Sequence, residues 1–189
     1  MLTSDFSALR TRLSARAPRR VEEAGVAETA VALILTPGKA GLEALFIRRA
    51  ERADDPWSGH IALPGGRREP RDADRLATAV RETKEEVDVA LPASALLGAL
   101  DDLAPRTARH PPLVIRPYVF GLDPRPEARL SDEVAGVTWL PLSELAAGAG
   151  TAEVSVRGAA TEVECYACGG VVIWGLTYRI LTGFLALAS

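Results

Sequence analysis

The chain has 189 residues, 48% of them apolar and 25% charged, the balance of a globular protein large enough to bury a core without disulfide or metal staples. Its net charge of −3 and pI of about 5.5 exclude binding of nucleic acid through a broad basic face. Its longest apolar run, Ala30 to Leu35, is far too short to span a bilayer.

Phe6, Leu9 and Leu13 recur at helical spacing and predict an amphipathic helix over about 4–16. The opening Met1–Asp5 starts no apolar leader, so a cytoplasmic protein without membrane partners is expected. Ala27 to Leu35 reads as a buried strand, Pro37 to Gly41 as a turn, and Leu42 to Ile47 as the returning strand. Residues 50–60 are polar and predict a loop. Asp72 to Val87 predicts a helix, with Asp72 placed to cap it. Leu96 to Leu103 and Leu113 to Leu122 predict two strands joined by the Pro-rich stretch Pro105 to Pro112, and Val134 to Leu140 a further one. Pro141 to Leu145 looks like a helix start. Gly148 to Gly150 reads as a loop, Val154 to Val156 and Val163 to Ala167 as short strands, and Trp174 to Leu187 as a closing helix. The mixed order predicts an α/β fold with a largely non-local sheet.

The chemistry concentrates between Gly59 and Asp88. Leu76, Val80, Thr83 and Val87 lie within an arc of about 60° on a helical wheel, the core stripe of an amphipathic helix. Glu82, Glu85 and Glu86 sit three and four residues apart and share another face. Three carboxylates so placed repel one another, and either a solvated acidic face softened by Arg81 and Lys84 or a site for a divalent cation resolves the conflict. Hard oxygen ligands suit Mg²⁺ or Mn²⁺, which take few protein ligands and keep room for water and phosphate oxygens. Pro64-Gly65-Gly66 just before the helix, a turn that lets backbone approach a ligand closely, favours the metal reading.

Gly66, five residues, Asp72, and then Arg81-Glu82-Thr83-Lys84-Glu85-Glu86-Val87 resembles the Nudix box, G-x5-E-x7-R-E-U-x-E-E-x-G-U. Asp72 stands where that pattern has Glu, one extra residue separates it from Arg81, and Asp88 replaces a Gly. Asp is among the few residues that tolerate the left-handed conformation such a Gly supplies. Gly59 to Gly66 resembles the G-x-x-x-F-P-G-G of the coenzyme A pyrophosphatase branch, with Leu63 for Phe. Arg49-Ala50 resembles the start of that branch's R-[SA]-x3-R, whose second Arg is Asp54 here. Trp174-Gly175-Leu176-Thr177 looks like its C-terminal W-G-x-T.

The resemblance implies a Nudix-type α/β/α sandwich with a mixed sheet, one domain over residues 1–189, with the box over about 66–89. It implies Mg²⁺- or Mn²⁺-dependent hydrolysis of a pyrophosphate bond in a small nucleotide-derived substrate, with coenzyme A or a derivative leading. A nucleotide-sugar, ADP-ribose or dinucleotide substrate is the alternative, and a non-catalytic nucleotide-binding module is the alternative outside enzymology. Carried over by position, Glu82, Glu85 and Glu86 hold the metal and Arg81 orients a box glutamate. Gly65 and Gly66 shape the loop, and Arg49 and Arg67 contact substrate. The general base is Glu133, with Asp132 second, on a loop before a later strand, or Glu86 itself.

Only Lys39 and Lys84 among 22 basic side chains are lysines. That bias reads as GC-rich codon usage or as guanidinium forks for phosphate, with Arg48, Arg49, Arg67, Arg68 and Arg116 the candidates for the latter. Trp57 in the loop suits stacking on a base or anchoring the loop, and His110 is a weaker pocket candidate. Cys165-x-x-Cys168 lacks the ligands of a zinc site and leads into Gly169-Gly170, which suits a hairpin edge.

Overall fold

The computed structural model describes residues 5–51, 58–105, 112–156 and 159–189. Trp57, Asp54 and His110 lie outside them.

A mixed sheet forms around β1 (Ala27–Gly38), which pairs in parallel with β6 (Leu113–Gly121) and antiparallel with β2 (Gly41–Arg49) and β4 (Gly65–Arg67). β2 also pairs with β3 (Ile61–Ala62) and β7 (Val134–Pro141), and β5 (Leu96–Ala99) lies outside β6. Alternation sorts the side chains of the central strands onto two cores. Leu33, Leu35, Leu42, Ala44 and Phe46 face one, and Ala32, Ile34, Leu45 and Ile47 face the other.

The second core is closed by α2 (Arg75–Val87), through Val87 with Leu76 and Val80. The first is closed by α1 (Phe6–Ser14), by α3 (Leu142–Ala147) and by α4 (Gly175–Ala188), through Leu9, Leu13, Leu142, Leu145, Ile180 and Phe184. This is the expected α/β/α sandwich with a mixed sheet. No helix among the described residues is long and apolar enough to cross a membrane.

Several boundaries differ from expectation. The residues read as a Gly148–Gly150 loop lead directly into β8 (Ala149–Val156), because the Gly148 carbonyl accepts from Ala167 N at 2.8 Å and opens a long hairpin with β9 (Ala159–Cys168). Gly169 and Gly170, both at positive φ, then turn the chain into β10 (Val171–Trp174), a strand that went unread. Finally, β5 stops at Ala99 instead of running to Leu103. Beyond it, Asp102 N donates to Arg19 O and Asp101 accepts from Arg19 N, so the segment after α1 is stitched there. Cys165 and Cys168 are buried, reduced residues of β9, with the Cys168 thiol 3.6 Å from Glu144 Oε2.

Candidate active site

Helix α2 begins at Arg75, three residues later than the sequence suggests, because Asp74 and not Asp72 caps it: the Asp74 carboxylate accepts from Ala77 N at 2.8 Å. Asp72 is buried and turned toward the helix. Its oxygens accept from Arg81 Nε at 2.9 Å and Nη2 at 3.0 Å, from Thr78 Oγ1 at 2.9 Å and from Glu69 N at 2.9 Å. The Arg81 hydrogen bonds above all hold the Asp72 carboxyl well below the usual carboxylate range. At its other end α2 stops at Asp88, in the left-handed conformation at φ 57°, with its N–H on Lys84 O. Lys84 pairs with Asp88.

Arg81 spends the rest of its fork on the box. Nη1 lies 2.9 Å from Glu82 Oε1 and 2.8 Å from Glu85 Oε2, and Nη2 donates to Arg67 O at 3.0 Å. The three glutamates have separate surroundings. Glu85 is half exposed, and its second oxygen is 3.1 Å from Arg71 Nη2. Glu82 is largely covered and packs so tightly on Gly66 that any side chain at Gly66 would collide with its carboxyl. Glu86 is buried at 4% exposure and accepts from Gly65 N at 2.8 Å. Burial pushes the Glu86 pKa up to about 7, opposed by the Gly65 N–H and the Arg49 charge and reinforced by the Glu82 and Glu133 charges. Burial likewise raises that of Glu82.

The loop after β6 presses on this end of α2. Arg129 N donates to Val87 O at 2.9 Å and Ser131 N to Glu86 O at 3.0 Å, satisfying carbonyls the helix leaves free. The same loop brings Glu133 to the site, where its carbonyl accepts from Ala50 N at 2.9 Å and its side chain is exposed. Arg49, Gly65, Gly66, Glu82, Glu86 and Glu133 are therefore one neighbourhood, drawn from four separate segments.

Other expected residues go elsewhere. Arg67 is exposed on β4 and meets the site through its carbonyl. Arg68 is 2.7 Å from Glu28. Arg116 grips Asp102 with Nε and Nη2, both at 2.8 Å, and Arg20 and Arg75 share that carboxylate at 3.0 and 3.4 Å. Arg68 and Arg116 are thus committed to the protein's own carboxylates. One contact escaped the sequence reading. The His60 and Trp174 rings meet with centroids 4.7 Å apart, which joins the Gly59–Gly66 segment to the Trp174–Thr177 segment across more than 100 residues of chain.

The family model of the NUDIX domain matches residues 26–157, most of the chain and the whole of this site. The chain belongs to the Nudix family. It is 35% identical over 140 residues to the uncharacterized Nudix hydrolase NudL of Photorhabdus laumondii, covering 72% of this chain and 73% of that one. It is also 35% identical over 102 residues to the mitochondrial coenzyme A diphosphatase NUDT8 of Homo sapiens, covering 53% of this chain. The chain spans less than half the length of the first curated relatives it matches, 42% of NUDT8. A solved MutT/nudix family protein of Enterococcus faecalis shares the Nudix fold, with a TM-score of 0.62 and 20% identity over 97% of this chain and 69% of that one.

Proposed function

We propose that this Nudix protein is a pyrophosphohydrolase that cleaves a nucleoside diphosphate linked to a second moiety, with coenzyme A or a derivative as the leading substrate. The observation that carries the reading is Glu86. It is a buried carboxylate on the Gly65 N–H, with Glu82 and Glu133 adding like charge and Arg49 the opposite charge. A binding module that only holds a nucleotide gains nothing from crowding carboxylates where they repel each other and the phosphates.

A divalent cation fits this donor set by its chemistry. Glu82 and Glu86 are hard oxygen donors whose ionised forms are opposed by burial, so a cation relieves what the protein leaves uncompensated. Among the described residues no three carboxylate, His or Cys side chains already enclose an ion. Glu82 and Glu86 are its ligands on this reading, and Glu85 joins them only by giving up contacts with Arg71 or Arg81. Bound there, Mg²⁺ or Mn²⁺ supplies neutralisation of pyrophosphate charge and acidification of water.

The chain's own residues do the rest. Gly65 and Gly66, whose missing side chains make room for β1 and for Glu82, hold the loop against the glutamates, and Arg49 faces the diphosphate with a guanidinium. Glu133, or Glu86 itself, takes the proton from the attacking water. The water oxygen bonds to one phosphorus, the bond from that phosphorus to the bridging oxygen breaks, and two phosphomonoesters leave. Arg81 keeps Glu82 and Glu85 oriented throughout.

Support for coenzyme A comes from the two segments that meet at His60 and Trp174, both similar to the coenzyme A pyrophosphatase branch, and from the NUDT8 similarity. The test is chromatographic product analysis of coenzyme A, ADP-ribose, nucleotide sugars and dinucleoside polyphosphates with Mg²⁺ or Mn²⁺. Cleavage of coenzyme A to an adenosine bisphosphate and phosphopantetheine is expected. No turnover of any member, with tight binding of one, would overturn the enzymatic reading.

A further inference from the structure

β3 is the edge of the central sheet on the side of the site. Arg49 N donates to His60 O at 3.0 Å, so His60 continues the β2–β3 register directly opposite Arg49. Opposed residues of an antiparallel pair project to the same face of the sheet. On β2 the odd positions Leu45 and Ile47 face α2, and Ala62 of β3 faces the same core. His60 and Arg49 therefore share the face on which Glu86 lies.

The Trp174 ring closes on His60 at 4.7 Å with an interplanar angle of 59°. Trp174 sits where β10 passes into α4. From this turn the core takes Ile173, fully buried, and Leu176, while Trp174 is only partly covered. A partly exposed indole braced by an imidazole offers a flat π surface beside the site. His60 is one strand spacing from Arg49, about 4.8 Å, and the indole lies one ring contact further. The ring pair thus lies at the same sheet edge as Arg49, on the rim of the proposed diphosphate site.

We propose that His60 and Trp174 form a stacking platform for the planar base of the nucleoside diphosphate, and so select substrates by that half of the molecule. The inference rests on the proposed pyrophosphohydrolase reading for which phosphates lie beside it, but the platform itself is tested by binding. A base offers a π face of matching size, and stacking on an aromatic side chain tolerates different bases.

The experiment uses the full chain. Titration with AMP should quench tryptophan emission saturably, ribose 5-phosphate should not, and Trp174→Phe should lose the AMP-dependent change. In turnover of whichever panel member the wild type cleaves, Trp174→Leu should raise KM about tenfold with kcat held within about threefold. Trp174→Phe, which keeps a flat face, should recover most of that loss, and His60→Ala should also raise KM. Emission that AMP leaves unchanged at millimolar concentration overturns the platform, as does equal quenching by ribose 5-phosphate or an unchanged KM in Trp174→Leu. A wild type that binds AMP through Trp174 yet cleaves nothing supports the platform and overturns the catalytic reading, so the two failures are distinguishable.

Discussion

Arg81 lies across both oxygens of Asp72, with Nε 2.9 Å from Oδ1 and Nη2 3.0 Å from Oδ2. This pair converts a short acid placed before the helix into an anchor for the middle of it. Once Nε and Nη2 are fixed, Nη1 has a single direction, and it points between Glu82 and Glu85. The charge on the glutamates is thus held by a guanidinium that is itself held from behind.

Lysine cannot reproduce that fork. Arg81→Lys is expected to lose at least tenfold in turnover through misplaced glutamates, a modest fraction of what a misplaced catalytic group costs. Stability is expected to fall by about 1.5–3 kcal/mol, the scale of hydrogen bonds to charged groups. Urea unfolding beside steady-state kinetics reads both. Unchanged kcat would show that the glutamates need no such anchor.

The acid side of the stability curve follows from two buried carboxylates. Hydrogen bonds from Arg81, with those from Glu69 N and Thr78, lower the Asp72 pKa. Burial of Asp102 works to raise its pKa, but Arg116, the Val21 N–H and Arg20 outweigh it and the net shift is downward. A carboxyl with a depressed folded pKa adds stability that is complete above the unfolded value, about 3.9 for Asp. That contribution is lost as pH falls through the folded value. Asp72→Asn and Asp102→Asn should therefore each flatten the fall of Tm between about pH 4 and pH 2, while lowering Tm at pH 7. Parallel Tm–pH curves for variant and wild type would remove these acids as the source.

The two loop glycines should fail in different ways. Gly65 sits at φ 150°, and a Cβ there would lie 2.6 Å from Val31 Cα and closer still to Ala30 O, both parts of the central strand. Backbone in β1 cannot yield, so Gly65→Ala is expected to cost more than about 2 kcal/mol of stability. At Gly66 the obstacle is the Glu82 carboxyl, the end of a flexible side chain. Gly66→Ala should displace Glu82 at little cost in Tm and lower turnover and divalent-metal affinity instead. Calorimetry with metal titration separates the two, and equal destabilisation by both would contradict it.

The sandwich and the box were legible because each rests on local signals. β1 is buried on both faces and reads as an unbroken apolar run, and α2 carries its stripe at helical spacing. The cap was misassigned because Asp72 and Asp74 are equally good caps in sequence. Only the position of Arg81 in three dimensions takes Asp72 away from the helix end. The start of β9 is hard to read because Ala159–Glu162 are exposed on both faces and so show no alternation. Arg116 looked like a phosphate ligand for the same kind of reason. Nothing local ties it to Asp102, which reaches it from the strap region beyond β5. The ring contact of His60 with Trp174 is non-local in the extreme, and no spacing rule could have signalled it.

Glu86 and Glu133 are the two residues whose roles a pair of amide substitutions can divide. Glutamine at 86 keeps an oxygen for the Gly65 N–H, so the loop should hold its shape while the charge is lost. Turnover is expected to fall at least ~10²-fold, as for loss of a metal ligand or general base. Stability should move the other way. Burial raises the folded pKa of Glu86 to about 7 from an unfolded value near 4.3, so ionisation between those values takes stability from the fold, and the deficit is complete above pH 7. Metal-free Glu86→Gln should then melt above the wild type at pH 8 and no higher at pH 4. Glu133, by contrast, is exposed, with its carbonyl accepting from Ala50 N. Glu133→Gln should leave Tm unchanged at both pH values, lower kcat and alter the acidic limb of the pH–rate profile. If instead rate and profile are unchanged in Glu133→Gln while Glu86→Gln is inactive, proton removal belongs to Glu86.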